Sequence, residues 1–528
     1  MRILMIQGAP WTNSISLGVT TLGAQVKEKG HEYKVFDLYY YDFEESTTET
    51  NVGETQLEFE KVSNPKRMPQ IAKKSMKKLF SDFREINKTY LPDLICVSAM
   101  SGDFVFSKRL LDKVRKEIKV PILVGGICST VDPDRIIAEP WVDMINIGQG
   151  EESFMEVIES LEKKDQNTSI KNIWFKVNGE IIKNPTRPIV RDLDLFPVPD
   201  HSVYDDFHFY RPFRGQVYRH TLVEIARGCP LRCKYCLNSW LPTLYGDTFY
   251  SKSVERAVSE FEFLRDKYNI ELFGFMDEIF LHHDIEFFEE LAEKYSKRVN
   301  VPFYCQTTAT SATPEKVKLL KQMNCVTVSL GVETGSEELR KNVLNKKVLN
   351  KHYENAYKLF NEAGIRTTAQ MMFGLPNETE EDYIQSIRMI KKWKVDTAHA
   401  GIFYPYMGTV MRDESIKNGL LDKEKLEEFE KDSFISPRVT QTFLNFTDEQ
   451  IKIMNHYKNN FTLYTELPEW LWPLVRDTDE SDEYGKKLYD KIRNLVYNTR
   501  FEKGMSHHNP GDVSHLSSQV TYYILINI

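Results

Sequence analysis

Seven cysteines in 528 residues are too few and too scattered for a disulfide framework. Long apolar runs are also missing: no window reaches the roughly 18 apolar residues of a membrane span. The opening MRILMIQGAPW is broken by Gly8 and Pro10 too early for the hydrophobic region of a signal peptide. A cytoplasmic protein with reduced thiols is therefore expected, in which clustered cysteines bind metal or carry chemistry. Basic charge is not in excess, with 69 Lys and Arg against 77 Asp and Glu and a net charge of −8. No basic run forms a nucleic-acid footprint, so a small molecule is the expected partner. Histidine is scarce, with only His31, at a strand edge, before residue 200. Repeats and low-complexity tracts are absent.

What is present begins with short apolar runs at 2–7, 32–38, 93–99, 121–126 and 143–148, separated by helical patterns. Runs of this kind are strands buried on both faces, and strands alternating with helices imply an open, parallel, Rossmann-like α/β sheet. Such sheets bind ligands at the carboxyl ends of their strands. Those ends carry QGAPWTNS, then Ser98-Ala99-Met100, Gly125-Gly126 and Gly148-Gln149-Gly150-Glu151. Glycine there lets a flat ligand approach the backbone. Cys128 reads as a small buried residue. Asn178-Gly179 signals a hairpin, and a proline-rich linker follows it.

From Thr221 a strand and a helix repeat six times, with strands at 221–226, 271–276, 302–307, 326–333, 366–374 and 398–405. Six such units fit a partial (βα)6 barrel of the TIM type, whose chemistry sits at the carboxyl ends of its strands. Cys229, Cys233 and Cys236 follow the first strand at such an end. Structural zinc sites use four ligands, usually in close pairs, and no fourth lies at that spacing. An iron–sulfur cluster held by three thiolates, with one iron open, fits the spacing.

The cysteine loop with Tyr235 before the last cysteine resembles the signature of the radical SAM superfamily. Ser98-Ala99-Met100 and Gly125-Gly126 resemble the pocket of cobalamin-binding domains, although QGAPWTNSISLG lacks the histidine that ligates cobalt in many of them. The chain resembles the B12-binding, class B radical SAM enzymes over about residues 1–410. The resemblance implies three cofactors: a [4Fe–4S] cluster on Cys229, Cys233 and Cys236, S-adenosylmethionine (SAM), and cobalamin without a histidine lower ligand. Tyr235, Asp277, Glu278, Glu333 and Gly374 correspond to SAM-binding positions. Ser98, Gly125, Gly126, Gly148 and Gly150 correspond to cobalamin-binding ones.

The implied activity is C-methyl transfer, or transfer to phosphorus, in which a methyl passes from SAM through methylcobalamin to an unactivated centre of a small molecule. A cyclisation or rearrangement without methylation is the alternative, and a non-enzymatic cobalamin sensor is the third. An external electron donor such as flavodoxin or ferredoxin is implied as a partner. The expected organisation is a Rossmann-like B12-binding domain at 1–165, hairpin and linker at 166–215, the barrel at 216–410, and a mainly helical cap at 411–528 on the open side of the barrel. His282 and His283 read as solvated, and His399, in the sixth strand, is a candidate near substrate only if it faces the barrel lumen. His507, His508 and His515 read as a surface loop.

Overall fold

Arg2–Gln7 (β1) buries four consecutive residues, which suits it to the middle of a sheet. It pairs in parallel with Glu32–Asp37 (β2) on one side and Leu94–Ser98 (β3) on the other. Ile122–Gly125 (β4) and Met144–Asn146 (β5) extend the parallel sheet. The sequence is described by a computed structural model for residues 1–8, 14–43, 64–165, 167–246, 249–432, 441–478 and 483–505. Ile173–Val177 (β6) and Glu180–Lys183 (β7) form the hairpin around Asn178-Gly179. The hairpin lies inside the first sheet rather than between domains, because β6 pairs antiparallel with β5 and gives the order β2-β1-β3-β4-β5-β6-β7.

The second sheet starts earlier than the apolar pattern indicates. Tyr210–Phe213 (β8) and Gln216–Val223 (β9) pair antiparallel across Arg214 and Gly215, both at positive φ. The chain after Val223 leaves the sheet, and Ala226–Arg227 (β10) pairs with Tyr250–Ser251 (β11) in a separate ribbon. Leu272–Phe275 (β12), Phe303–Thr307 (β13), Cys325–Glu333 (β14), Arg366–Phe373 (β15) and Thr397–Ile402 (β16) complete the order β16-β15-β14-β13-β12-β9-β8. Strands β9 and β12 to β16 are the six parallel strands of a partial barrel.

Local signals set the helix starts around it. Ser253, Asp284 and Thr313 accept the backbone N–H of Arg256, Phe287 and Lys316. Along the strands, Cys305, Val328, Leu330, Ala369 and Phe373 join the apolar core shared with those helices. Their alternating neighbours, including Gln306, Ser329, Gln370 and His399, lie on the opposite, more open face.

The C-terminal region is helical, with helices at Lys423–Asp432, Asp448–Asn459, Phe461–Glu466, Trp472–Thr478 and Glu483–Met505. Asp448–Asn459 and Phe461–Glu466 pack on the helix Glu380–Lys392 and on β16, while Glu430 of the helix Lys423–Asp432 pairs with Arg412 and Leu444 joins Leu344, Leu375 and Tyr235 in a small apolar cluster. Phe461 meets Phe373 edge-on at 5.4 Å, and Tyr457 stacks at a tilt on Tyr383. The reason is that β16 ends the sheet and its edge needs cover. The histidine run at 507–515 lies outside the described residues.

Candidate functional site

Gly228 enters the cysteine loop at φ +86°, where a side chain would be strained. Cys229 and Cys233 are 9% and 7% exposed and Cys236 is half-buried, all three as free thiols. Burial pushes the Cys229 thiol up to about 11 and raises those of Cys233 and Cys236. Among the described residues no three His, Cys, Asp or Glu side chains are gathered to hold a single metal ion. In a cluster each thiolate holds a different iron, so three sheltered, unpaired thiols fit that group and not a closed zinc site.

Two carboxylates brace the loop from the end of β12. Asp277, 1% exposed, accepts the backbone N–H of Ile225 at 3.1 Å and of Ala226 at 2.6 Å. Glu278 accepts that of Gly228 at 3.0 Å. Burial pushes the Asp277 carboxyl up to about 7 and raises that of Glu278, against the opposing pull of those N–H donors. Both Asp277 oxygens are thus taken by this protein's own backbone, which braces the entry to the loop. Its neighbour Met276 is 44% exposed.

At the end of β14 the register to β15 shifts between Gly331 and Glu333, and Glu333 sits at φ +70°. Bulges and positive φ outside glycine re-aim side chains at functional sites. The Glu333 carboxylate accepts the Tyr235 hydroxyl at 2.8 Å and pairs with the Lys346 ammonium at 2.7 Å. Burial works against that ammonium, but Glu333 and then Tyr235 outweigh it and hold its pKa well above the usual lysine range. Lys346 also donates to the Gly331 carbonyl at 2.6 Å. Arg340, fully buried, ties the Thr334 and Val348 carbonyls together and so fixes both ends of this pair. Sequence reading missed Lys346 and Arg340. A carboxylate ending an apolar strand demands a cation, but nothing local names which one.

Gly374, at φ +76°, lies under the C-terminal helices, where an added Cβ would come 2.7 Å from the Met454 sulfur. In the next turn Glu378 accepts the Leu375 N–H at 3.0 Å, and burial pushes its carboxyl up to about 8. His399 is exposed on the open face in register with Gln370, whose amide donates to the Ser329 hydroxyl at 3.2 Å. His283 is not solvated: it stacks on Phe287 with ring centres 3.9 Å apart, and burial lowers its pKa to about 4.

The carboxyl ends of the first sheet are built differently. Ser98 and Gly125 are in register, and a Cβ on Gly125 would meet nothing nearer than 3.9 Å. Met100 is 58% exposed beside them. That open, uncharged ledge fits a large flat ligand. Gly126, at φ +96°, is pressed against the Ala99 carbonyl, 2.5 Å from where its Cβ would stand. Gly150 abuts the Asn146 side chain, and Gly148 lies beneath Tyr245, whose hydroxyl oxygen is 1.2 Å from a Cβ built there. Gly126 and Gly148 therefore sit where no side chain fits, Gly150 makes ordinary contact with Asn146, and Cys128 is buried, its thiol pushed up to about 12.

A model of the Radical SAM superfamily matches residues 223–390, and a model of the B12 binding domain matches residues 73–158. The chain joins a B12-binding domain to a radical SAM domain. It is 25% identical over 421 residues to an uncharacterised methyltransferase of Pyrococcus horikoshii, covering 79% of this chain and 87% of that one. It is also 25% identical over 388 residues to the anaerobic magnesium-protoporphyrin IX monomethyl ester cyclase of Rubrivivax gelatinosus, covering 72% and 67%. The fold resembles that of the radical SAM methyltransferase TsrM from Kitasatospora setae, solved with cobalamin and a [4Fe–4S] cluster, at a TM-score of 0.60 and 15% identity over 79% of this chain and 78% of that one. The cofactor classes of this B12-binding radical SAM architecture are thus cobalamin, SAM and a [4Fe–4S] cluster.

Proposed function

We propose that this radical SAM enzyme moves a methyl group from SAM, by way of cobalamin, to an unactivated carbon or phosphorus of a small molecule. The observation that carries the reading is the contact between the two domains: Tyr245, just beyond the cysteine loop, covers Gly148 at the carboxyl end of the first sheet. In this reading a substrate on the open face of the barrel lies between the two cofactor-binding ends. When bound, the cluster supplies the electron that cleaves SAM to methionine and a 5′-deoxyadenosyl radical, and cobalamin carries the methyl group.

In this reading Cys229, Cys233 and Cys236 hold the cluster. Glu333, aimed by its bulge, accepts the SAM ammonium while Tyr235 and Lys346 hold the carboxylate in place. Glu278 and Gly374 border the same end of the barrel. Ser98 and Gly125 form the ledge for cobalamin, with Gly126, Gly148 and Gly150 shaping the backbone beneath it. Asp277 positions the loop through Ile225 and Ala226. Gln306, Ser329, Gln370 and His399 on that face suit a polar small substrate. An external donor such as flavodoxin or ferredoxin supplies electrons in the cytoplasm; no helix among the described residues is long and apolar enough to cross a membrane.

The likeness to the cyclase favours one second reading, ring closure without methylation. Anaerobic turnover with candidate substrates decides between them. Methyl transfer yields a product heavier by one CH₂ unit together with S-adenosylhomocysteine, and an unmethylated product without S-adenosylhomocysteine would sink it.

A further inference from the structure

The cysteine loop is held on both sides by a single turn of the other domain. After the loop, Tyr245 lies on Gly148. Before it, Arg227 reaches the Glu151 carboxylate at 2.5 Å, with a second arm on Glu224 at 2.7 Å. Glu151 opens the helix Glu151–Glu162, where a carboxylate is favoured and its backbone is rigid. Arg227 is equally constrained, because β10 pairs with β11 opposite Tyr250. Behind it, Lys252 donates to the Glu224 carbonyl at 3.0 Å and pairs with buried Glu260 at 2.8 Å. Side chains along this chain of charges are 2% to 22% exposed.

Buried ion pairs add little net stability compared with apolar packing, but a forked guanidinium between two carboxylates fixes direction as well as distance. Arg227 lies two residues before Cys229, and its guanidinium is taken up by Glu151 and Glu224. We propose that Arg227 is a positioning residue: with Tyr245 it clamps the cysteine loop to the Gly148–Glu151 turn and so sets the spacing between the cluster end and the cobalamin end. The inference rests on the cofactor reading above.

Glu151→Gln keeps the side-chain shape and removes the charge. In holoenzyme carrying both cofactors, with cobalamin as cob(II)alamin and the cluster reduced, pulsed electron paramagnetic resonance reads the distance distribution between them. The variant is expected to broaden it with iron and cobalamin contents unchanged; a distribution identical to wild type overturns the clamp. In protein without cofactors, amide exchange at 148–151 and 225–228 is expected to rise about tenfold while the rest of the chain is unmoved. A uniform rise throughout marks a merely structural role and also overturns it. Arg227→Lys, which keeps charge but loses the fork, is expected to fall between. If wild type gives no methylated product yet shows a narrow distribution that Glu151→Gln broadens, the methyl-transfer reading falls and the clamp stands.

Discussion

The two sheets share parallel strands and ligand-facing carboxyl ends, yet those ends are made of opposite materials. Around Ser98 and Gly125 the first is glycine and uncharged side chains, with backbone pressed on backbone at Gly126, open space at Gly125 and charge only at its rim, on Glu151. The second is lined by Asp277, Glu278, Glu333 and Glu378, all buried or nearly so and each bound to an amide, a hydroxyl or an ammonium. The first is shaped by what it leaves out and accepts a broad ligand. The second is shaped by charge and holds a loop and a polar ligand in register. Substitutions in either should therefore fail in different currencies: fit in one, charge balance in the other.

The largest expected effect is that of Cys233→Ala, which should abolish iron incorporation and SAM cleavage while leaving cobalamin uptake by the first domain intact. Iron analysis and a spectral cobalamin titration check it, and parallel loss of both would erase the contrast between the ends. Next, Lys346→Met strands the buried Glu333 carboxylate and should cost about 3–5 kcal/mol in chemical denaturation, with most of it recovered when Glu333→Leu is added.

Glu378 supplies a pH test of the charged end. Its carboxyl moves from an ordinary 4.5 to about 8 on burial. Between those values the folded protein holds a proton that the unfolded chain releases. Stability therefore falls as pH rises from 4.5 to 8 and is level above. Glu378→Gln should gain a few kcal/mol on wild type above pH 8 and nothing at pH 4, read as melting temperature against pH. The smallest effects belong to the glycine end. Gly126→Ala should lose about 1–3 kcal/mol through its positive φ and the Ala99 carbonyl. Gly125→Ala should stay within about 0.5 kcal/mol yet weaken cobalamin uptake, because its added methyl enters only the open ledge.

Much of this was legible in the chain alone. The apolar runs located the parallel strands to within a few residues, since strands buried on both faces leave continuous patterns. The start of β9 was not legible, because half of that strand pairs with β8 and alternates instead. Asp277 illustrates the other limit: nothing local announces that an acid at this strand end takes the amides of Ile225 and Ala226. His283 was misread for a local reason: it directly precedes the cap Asp284, and the helix that starts there brings Phe287, four residues on, against its ring.

The sequence by itself determined the three-cysteine spacing, the glycines at strand ends, Glu333 at the end of an apolar strand and the order of strands and helices, because each is a property of neighbours along the chain. Tertiary structure alone decided that Lys346 answers Glu333, that the hairpin completes the first sheet, that the C-terminal helices cover β16, and that Tyr245 and Arg227 bring the cysteine loop onto the Gly148–Glu151 turn. A buried charge or a bare glycine announces that something must come close; which residue comes is settled only by the packing of segments far apart in sequence.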